Sequence, residues 1–138
     1  MLSAYPACFY KEFEGGYSVI FPDLNHLATQ GETLEEAFAM AIDCLAGYLY
    51  ECKLSGDTVA APSKLQDINP NDEYDEYEEV FVNIVTVNVE EYARLHFNKT
   101  VKKTLTIPQW LNDMAVAKGV NFSGVLQRAL ISELKLEV

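Results

Sequence analysis

The chain has 138 residues, 49% hydrophobic and 22% charged, with 7 Gly and 5 Pro, which is globular composition and length enough for one ordinary domain or two small ones. Three cysteines (Cys8, Cys44, Cys52) are an odd count and too few for a disulfide framework. No apolar run approaches the ~20 residues of a membrane span, and Met1–Pro6 has neither a basic region nor a long apolar core, so the expected setting is a reducing cytoplasm with no membrane.

The net charge of −11 conceals an asymmetry. Residues 1–98 carry 4 Lys/Arg against 18 Asp/Glu, a net of −14, whereas residues 99–138 carry 6 against 3, a net of +3. Two modules with partners of opposite charge are therefore expected.

In chain order, Tyr5–Tyr10 and Tyr17–Phe21 are β-branched and aromatic runs joined by Glu14-Gly15-Gly16, a hairpin signal. Pro22-Asp23 stops the second strand, because proline cannot donate to a ladder. Thr33 and Glu36 have the spacing of a capping box. Beyond them Leu34, Ala37, Phe38, Ala41, Ile42, Leu45, Tyr48, Leu49 and Cys52 recur at three- and four-residue steps, predicting an amphipathic helix of about five turns that closes at Gly56. Residues 62–71 read as loop, residues 72–79 as an acidic run, and residues 81–89 as a long strand. The expected first module is a β-β-α-β layer over residues 1–92 in which the helix covers one sheet face. Residues 90–100 read as polar and compatible with a helical turn, with the linker itself set at residues 93–98.

The last forty residues follow another pattern. Val101, Lys103, Leu105 and Ile107 alternate with Lys102, Thr104 and Thr106, a period of two. Pro108 suits the first position of a helix striped by Leu111, Met114 and Ala115, and Gly119 can close it. Asn121 can cap a second helix striped by Phe122, Val125, Leu126, Ala129, Leu130 and Leu134. A β-α-α module over residues 99–138 is too small to bury its own core, so a homodimer through this module is expected, with pairing of dimers into a tetramer left open.

Two constellations point to partners. Two copies of strand 101–107 paired across a two-fold axis would form a ribbon narrow enough for the DNA major groove. Lys102, Thr104 and Thr106 would then face base edges, and Asn121 and Ser123 would offer helix N-terminal amides to phosphate. The acidic run places Tyr74, Asp75, Glu76, Tyr77, Glu78 and Glu79 together, either as a solvated loop or as a strip facing a basic protein.

Other residue types carry plainer readings. Asp23, Glu36 and Asp43 could suggest a metal-dependent nuclease, but their contexts are a strand-ending turn, a helix cap and an apolar-faced helix, so catalysis is not expected. The cysteines lack metal-ligand spacing and read as core. His26 and His96 read as surface residues and Trp110 as packing at a module boundary. No cofactor or metal is expected.

The segments Lys102-Lys103-Thr104-Leu105-Thr106-Ile107-Pro108-Gln109-Trp110-Leu111 and Gly119-Val120-Asn121-Phe122-Ser123 resemble the ribbon-helix-helix repressors. Residues 15–24, residues 29–37 and Ala61-Pro62-Ser63 resemble the HicB antitoxins, so the likeness spans nearly the whole chain. It implies a partial ribonuclease H-like fold for residues 1–92 that neutralises a HicA-type toxin, a small mRNA interferase with a basic RNA-binding face. It also implies operator DNA as the partner of residues 99–138, in autorepression of the operon. The chain departs from the family where the second carboxy-terminal helix starts: Asn121-Phe122-Ser123-Gly124 lacks the usual basic residue, leaving phosphate contact to the ribbon, backbone amides and Lys118. Two alternatives from other classes are a ribonuclease H-like nuclease and a ligand-sensing repressor.

Overall fold

The computed structural model describes residues 1–97 and 99–136 and divides into two compact units, Met1–Lys99 and Thr100–Val138. The first unit contains β1 (Leu2–Lys11), β2 (Tyr17–Phe21), β3 (Leu27–Gly31), α1 (Leu34–Ser55), β4 (Glu79–Asn88) and α2 (Val89–His96). Its strands form one antiparallel sheet in the order β3-β2-β1-β4.

Alternation along β1 sorts its side chains onto two faces. Tyr5, Ala7 and Phe9 join Val19, Phe21, Val85 and Val87 in the core beneath α1. The helix meets them with Leu45 and with Ala37, Ala41 and Ala46, whose small size allows a close approach. Thr33 caps α1 by accepting the Glu36 N–H at 3.1 Å, and Gly56, in left-handed backbone, closes it. Both ends therefore lie where the local residues predict them.

The opposite face of β1 presents Pro6, Cys8 and Tyr10, and these too are fully buried. Their cover is the chain that returns from α1 to β4, which contains single 3₁₀ turns at Leu65–Asp67 and Pro70–Asp72. Three anchors hold it. Tyr5 donates its hydroxyl to the Ala60 carbonyl at 2.6 Å, and Tyr10 donates to the Pro70 carbonyl. Asp23 accepts both the backbone N–H and the hydroxyl of Ser63, at 2.8 and 2.6 Å.

A proline inside a strand paired on one side and covered on both faces needs an explanation. Pro6 opposes Ile84 on β4, while pairing with β2 begins only at Cys8. The Ile84 N–H bonds to the Asn83 side chain, so it points away from β1, and Pro6 and Ile84 form a non-hydrogen-bonded pair. The missing proline N–H therefore removes no ladder bond.

Two elements differ from the expected β-β-α-β order. β3 was not predicted, because Leu27-Ala28-Thr29-Gln30-Gly31 has weak apolar alternation, and β2 supplies its ladder. α2 replaces residues 93–96 of the expected linker; Asn98, also in that linker, lies outside the described residues. Polar as it is, α2 is held by tertiary contacts. Asn88 caps it at Glu91 N–H, Val89 and Ala93 are buried, and Tyr92 donates to Asp43 on α1 at 3.0 Å. Lys53 at the end of α1 bonds Glu90 at 2.8 Å, which holds the Glu90 carboxyl below the usual range.

The second unit holds α3 (Gln109–Ala117) and α4 (Phe122–Glu133). Gly119 (φ 67°) and Val120 return their N–H groups to Val116 and Ala115, closing α3, and Asn121 accepts the Gly124 N–H at 3.1 Å to start α4. Pro108 lies one position outside α3 rather than inside its first turn. The expected strand over 101–107 is not formed. A strand exists only through ladder bonds, and this single chain offers the segment none; every residue in it is exposed. Residues 137–138 of the expected module lie outside the described residues.

Gly31 and Gly47 make opposite predictions. A Cβ on Gly31 would stand 2.5 Å from the Ala37 nitrogen and 2.8 Å from its Cα, so Gly31→Ala should destabilise the fold by about 1–3 kcal/mol, read as a lowered Tm. At Gly47, inside α1, a Cβ would meet only the Phe97 ring at 4.0 Å, and Gly47→Ala should stabilise by about 0.5–1 kcal/mol in the same melt.

Candidate protein and nucleic-acid interfaces

The acidic run does not behave as one strip. Tyr74 stands edge-on to Tyr10, ring centroids 5.3 Å apart, and donates its hydroxyl to Glu12 at 3.0 Å. Tyr77 also packs against Tyr10, tilted at 5.5 Å, and donates to Asn71. Both rings thus fasten the return segment to the sheet and are not free anchors. Glu73 is withdrawn, its side chain mostly buried and paired with His26. Asp75, Glu76, Glu78 and Glu79 remain exposed, with Glu78 near Lys11 at 4.0 Å.

Beside them lie open grooves that no sequence motif signals. One of about 600 Å³ runs between Phe13, at the tip of the β1–β2 hairpin, and Tyr74, Asp75 and Glu76. A second, of about 510 Å³, lies on the sheet face opposite α1, over Ser18 and Ile20 of β2 and Ala28 and Gln30 of β3. Both include Glu12 and Tyr74. The signal that could have located them is nonlocal: the return segment covers the β1 part of this face, while Ala28 and Gln30 on β3 stay exposed.

The three carboxylates weighed for nuclease chemistry have separate structural contacts. Asp23 binds Ser63, Asp43 accepts from Tyr92, and Glu36 sits in the capped first turn of α1. Among the described residues no three His, Cys, Asp or Glu side chains are grouped as a metal ion requires. Cys8 is buried and Cys44 half-buried, and burial raises both thiols, leaving them protonated and unreactive near neutral pH.

In the second unit Lys102, Thr104 and Thr106 lie exposed in an extended stretch, and Asn121 and Ser123 lie exposed at the start of α4. The absence of a cation at this helix end needs correction. A Cβ on Gly124 would stand 3.3 Å from the Arg128 Nη1, so the guanidinium, one turn on, reaches back to the first turn of α4. Glycine at 124 makes room for it. The apolar residues are as telling: neither α3 nor α4 has a buried residue, and Leu105, Met114 and Leu130 are all at least half exposed. Trp110 is 64% exposed. His26 and His96 are exposed, as read, with His96 stacked on Tyr92.

Comparison with known proteins bears on both units. A chain from a toxin–antitoxin complex of Streptococcus pneumoniae is 32% identical and superposes with a TM-score of 0.60, covering 96% of this chain and 99% of that one. The Burkholderia pseudomallei antitoxin HicB, at 20% identity, shares the fold with a TM-score of 0.51 over 96% of each chain. Antitoxin HicB 1 of Photorhabdus laumondii is 51% identical over 41 residues, a match spanning 30% of this chain and about a quarter (26%) of that relative. No helix among the described residues is long and apolar enough to cross a membrane. The profile of the HicB-like antitoxin of bacterial toxin–antitoxin systems matches residues 5–130, and this chain belongs to that family, an antitoxin family and not one of enzymes.

Proposed function

We propose that the chain is an antitoxin and autorepressor: residues 1–92 neutralise a HicA-type toxin ribonuclease, and residues 99–138 dimerise and bind operator DNA. The full-length likeness to a chain of the Streptococcus pneumoniae toxin–antitoxin complex is the observation that carries the first half. The charge division supports the pairing of roles, since a unit of net −14 suits a basic RNA-binding protein and a stretch of net +3 suits DNA. Inhibition on this reading is steric and electrostatic, with no bond made or broken by the antitoxin. The three-strand meander, helix and fourth strand support a partial ribonuclease H-like description of the first unit.

Dimerisation accounts for the unburied apolar residues of the second unit. Two copies of residues 101–107 would supply each other's ladder bonds, completing a ribbon-helix-helix, and α3 and α4 would bury against their counterparts. Lys102, Thr104 and Thr106 then enter the major groove. Asn121, Ser123 and the reaching Arg128 meet phosphate at the start of α4. Two toxin-binding arms per DNA-binding unit allow toxin occupancy to alter operator affinity.

Co-purification with the product of the adjacent reading frame tests the antitoxin role directly; failure of the two to associate would sink it. Ending the chain at Lys99 should leave a folded unit that sediments as a monomer and still binds the toxin, because that unit has its own core. If it sediments with the oligomeric order of the full chain, the second unit is not the dimerisation device. In a mobility-shift assay Thr104→Ala removes two base contacts per dimer, each worth about 1–3 kcal/mol, while Lys103→Ala on the opposite face should cost far less. Equal losses at the two positions would exclude a ribbon in the groove. Reversing Asp75, Glu76, Glu78 and Glu79 together should slow toxin association, most at low salt.

A further inference from the structure

The sheet face opposite α1 is covered unevenly. Over β1 the return segment buries Cys8 and Tyr10, but over β2 and β3 nothing among the described residues takes its place. The result is an open groove floored by Ile20 and Ala28 and edged by Ser18, Gln30, Glu12 and Tyr74. It adjoins the groove at the hairpin tip, where Phe13 is 71% exposed between Glu14 and Asp75-Glu76.

We propose that this paired groove is the seat of the basic toxin, with Phe13 as the aromatic anchor and Glu12, Glu14, Asp75 and Glu76 as its charged rim. The inference rests on the antitoxin reading and adds the surface that performs it. Its arrangement is that of a protein-binding site: apolar and aromatic at the centre, polar around it. The electrostatics are one-sided. Among the described residues no Lys, Arg or His lines either groove, nor the adjoining one of about 290 Å³ that adds Glu32 and Glu36. An acidic partner would be repelled and a basic one drawn in.

The rim is also held in place before any partner arrives. Tyr74 bonds the Glu12 carboxylate at 3.0 Å, and its own ring is braced by Tyr10. The hairpin tip is closed by Glu12 N–H to the Gly16 carbonyl at 3.0 Å and Gly15 N–H to the Glu12 carbonyl at 3.2 Å, with both glycines at positive φ. Phe13 is thereby presented on a tight turn, and little ordering remains to oppose binding.

The test is a titration of the full-length chain with the purified product of the adjacent reading frame, a small basic protein on this reading. Phe13→Ala and Gln30→Arg should each weaken binding by about tenfold or more. Glu51→Lys, an equal or larger charge change on the exposed side of α1, should stay within about twofold of the parent. All three altered side chains are exposed, and an unchanged far-UV spectrum and Tm confirm that the fold is intact. Binding by Phe13→Ala and Gln30→Arg within about twofold of the parent would overturn the groove while leaving the antitoxin reading in place. An equal loss at Glu51→Lys would overturn it too, by showing a general field effect. If the unaltered chain fails to bind, the antitoxin reading itself falls and the groove with it.

Discussion

Burial of β1 on both faces is the constraint on which the amino-terminal unit is arranged. Each of Tyr5–Tyr10 is buried, and no single layer can bury an alternating strand from two directions. α1 covers Tyr5, Ala7 and Phe9, so the chain leaving α1 must return across the sheet to cover Pro6, Cys8 and Tyr10. That return explains why a segment with almost no regular structure is ordered, and why three tyrosines and Asp23 spend their polar atoms on it. Burial raises the Tyr10 phenol far above its usual range, so the hydroxyl stays a donor to Pro70 at any physiological pH.

The same segment shapes the surface. It covers Cys8 and Tyr10 of β1, brings Tyr74 to the margin of the uncovered β2–β3 face, and places Asp75 and Glu76 beside the hairpin tip. Packed and solvent-facing positions therefore alternate along one stretch: Tyr74 and Tyr77 pack on Tyr10, while Asp75 and Glu76 stay exposed.

The two units solve the burial problem differently. The first has a core of side chains drawn from four strands and two helices. The second, with some forty residues and no buried side chain in either helix, has none of its own. Below about 40 residues a chain usually needs a staple, a metal or a second copy, and this one has no disulfide. The first unit is thus a self-sufficient fold, whereas the second leaves the apolar residues of both its helices exposed.

What could be read from the sequence is what short-range chemistry decides. The β1–β2 hairpin, the Thr33 cap, the Gly56 stop, the Gly119 closure and the Asn121 cap each depend on residues close together in the chain, and the structure forms each of them. The family likeness was legible for the same reason, being carried by contiguous motifs. β3 and α2 were not, because their own residues are weakly apolar and their order comes from β2 and α1. Nor was the covering of Cys8 and Tyr10 by residues about sixty positions away, the inward commitment of Tyr74 and Tyr77, or the groove left over β2–β3. The strand expected over 101–107 marks the opposite case: its alternation is local and plain, but ladder bonds need a second strand, and a pattern of side chains cannot supply one. Local sequence determined where elements begin and end; tertiary packing decided which faces are covered and which remain for a partner, because burial is a property of chain segments brought together and not of any one of them.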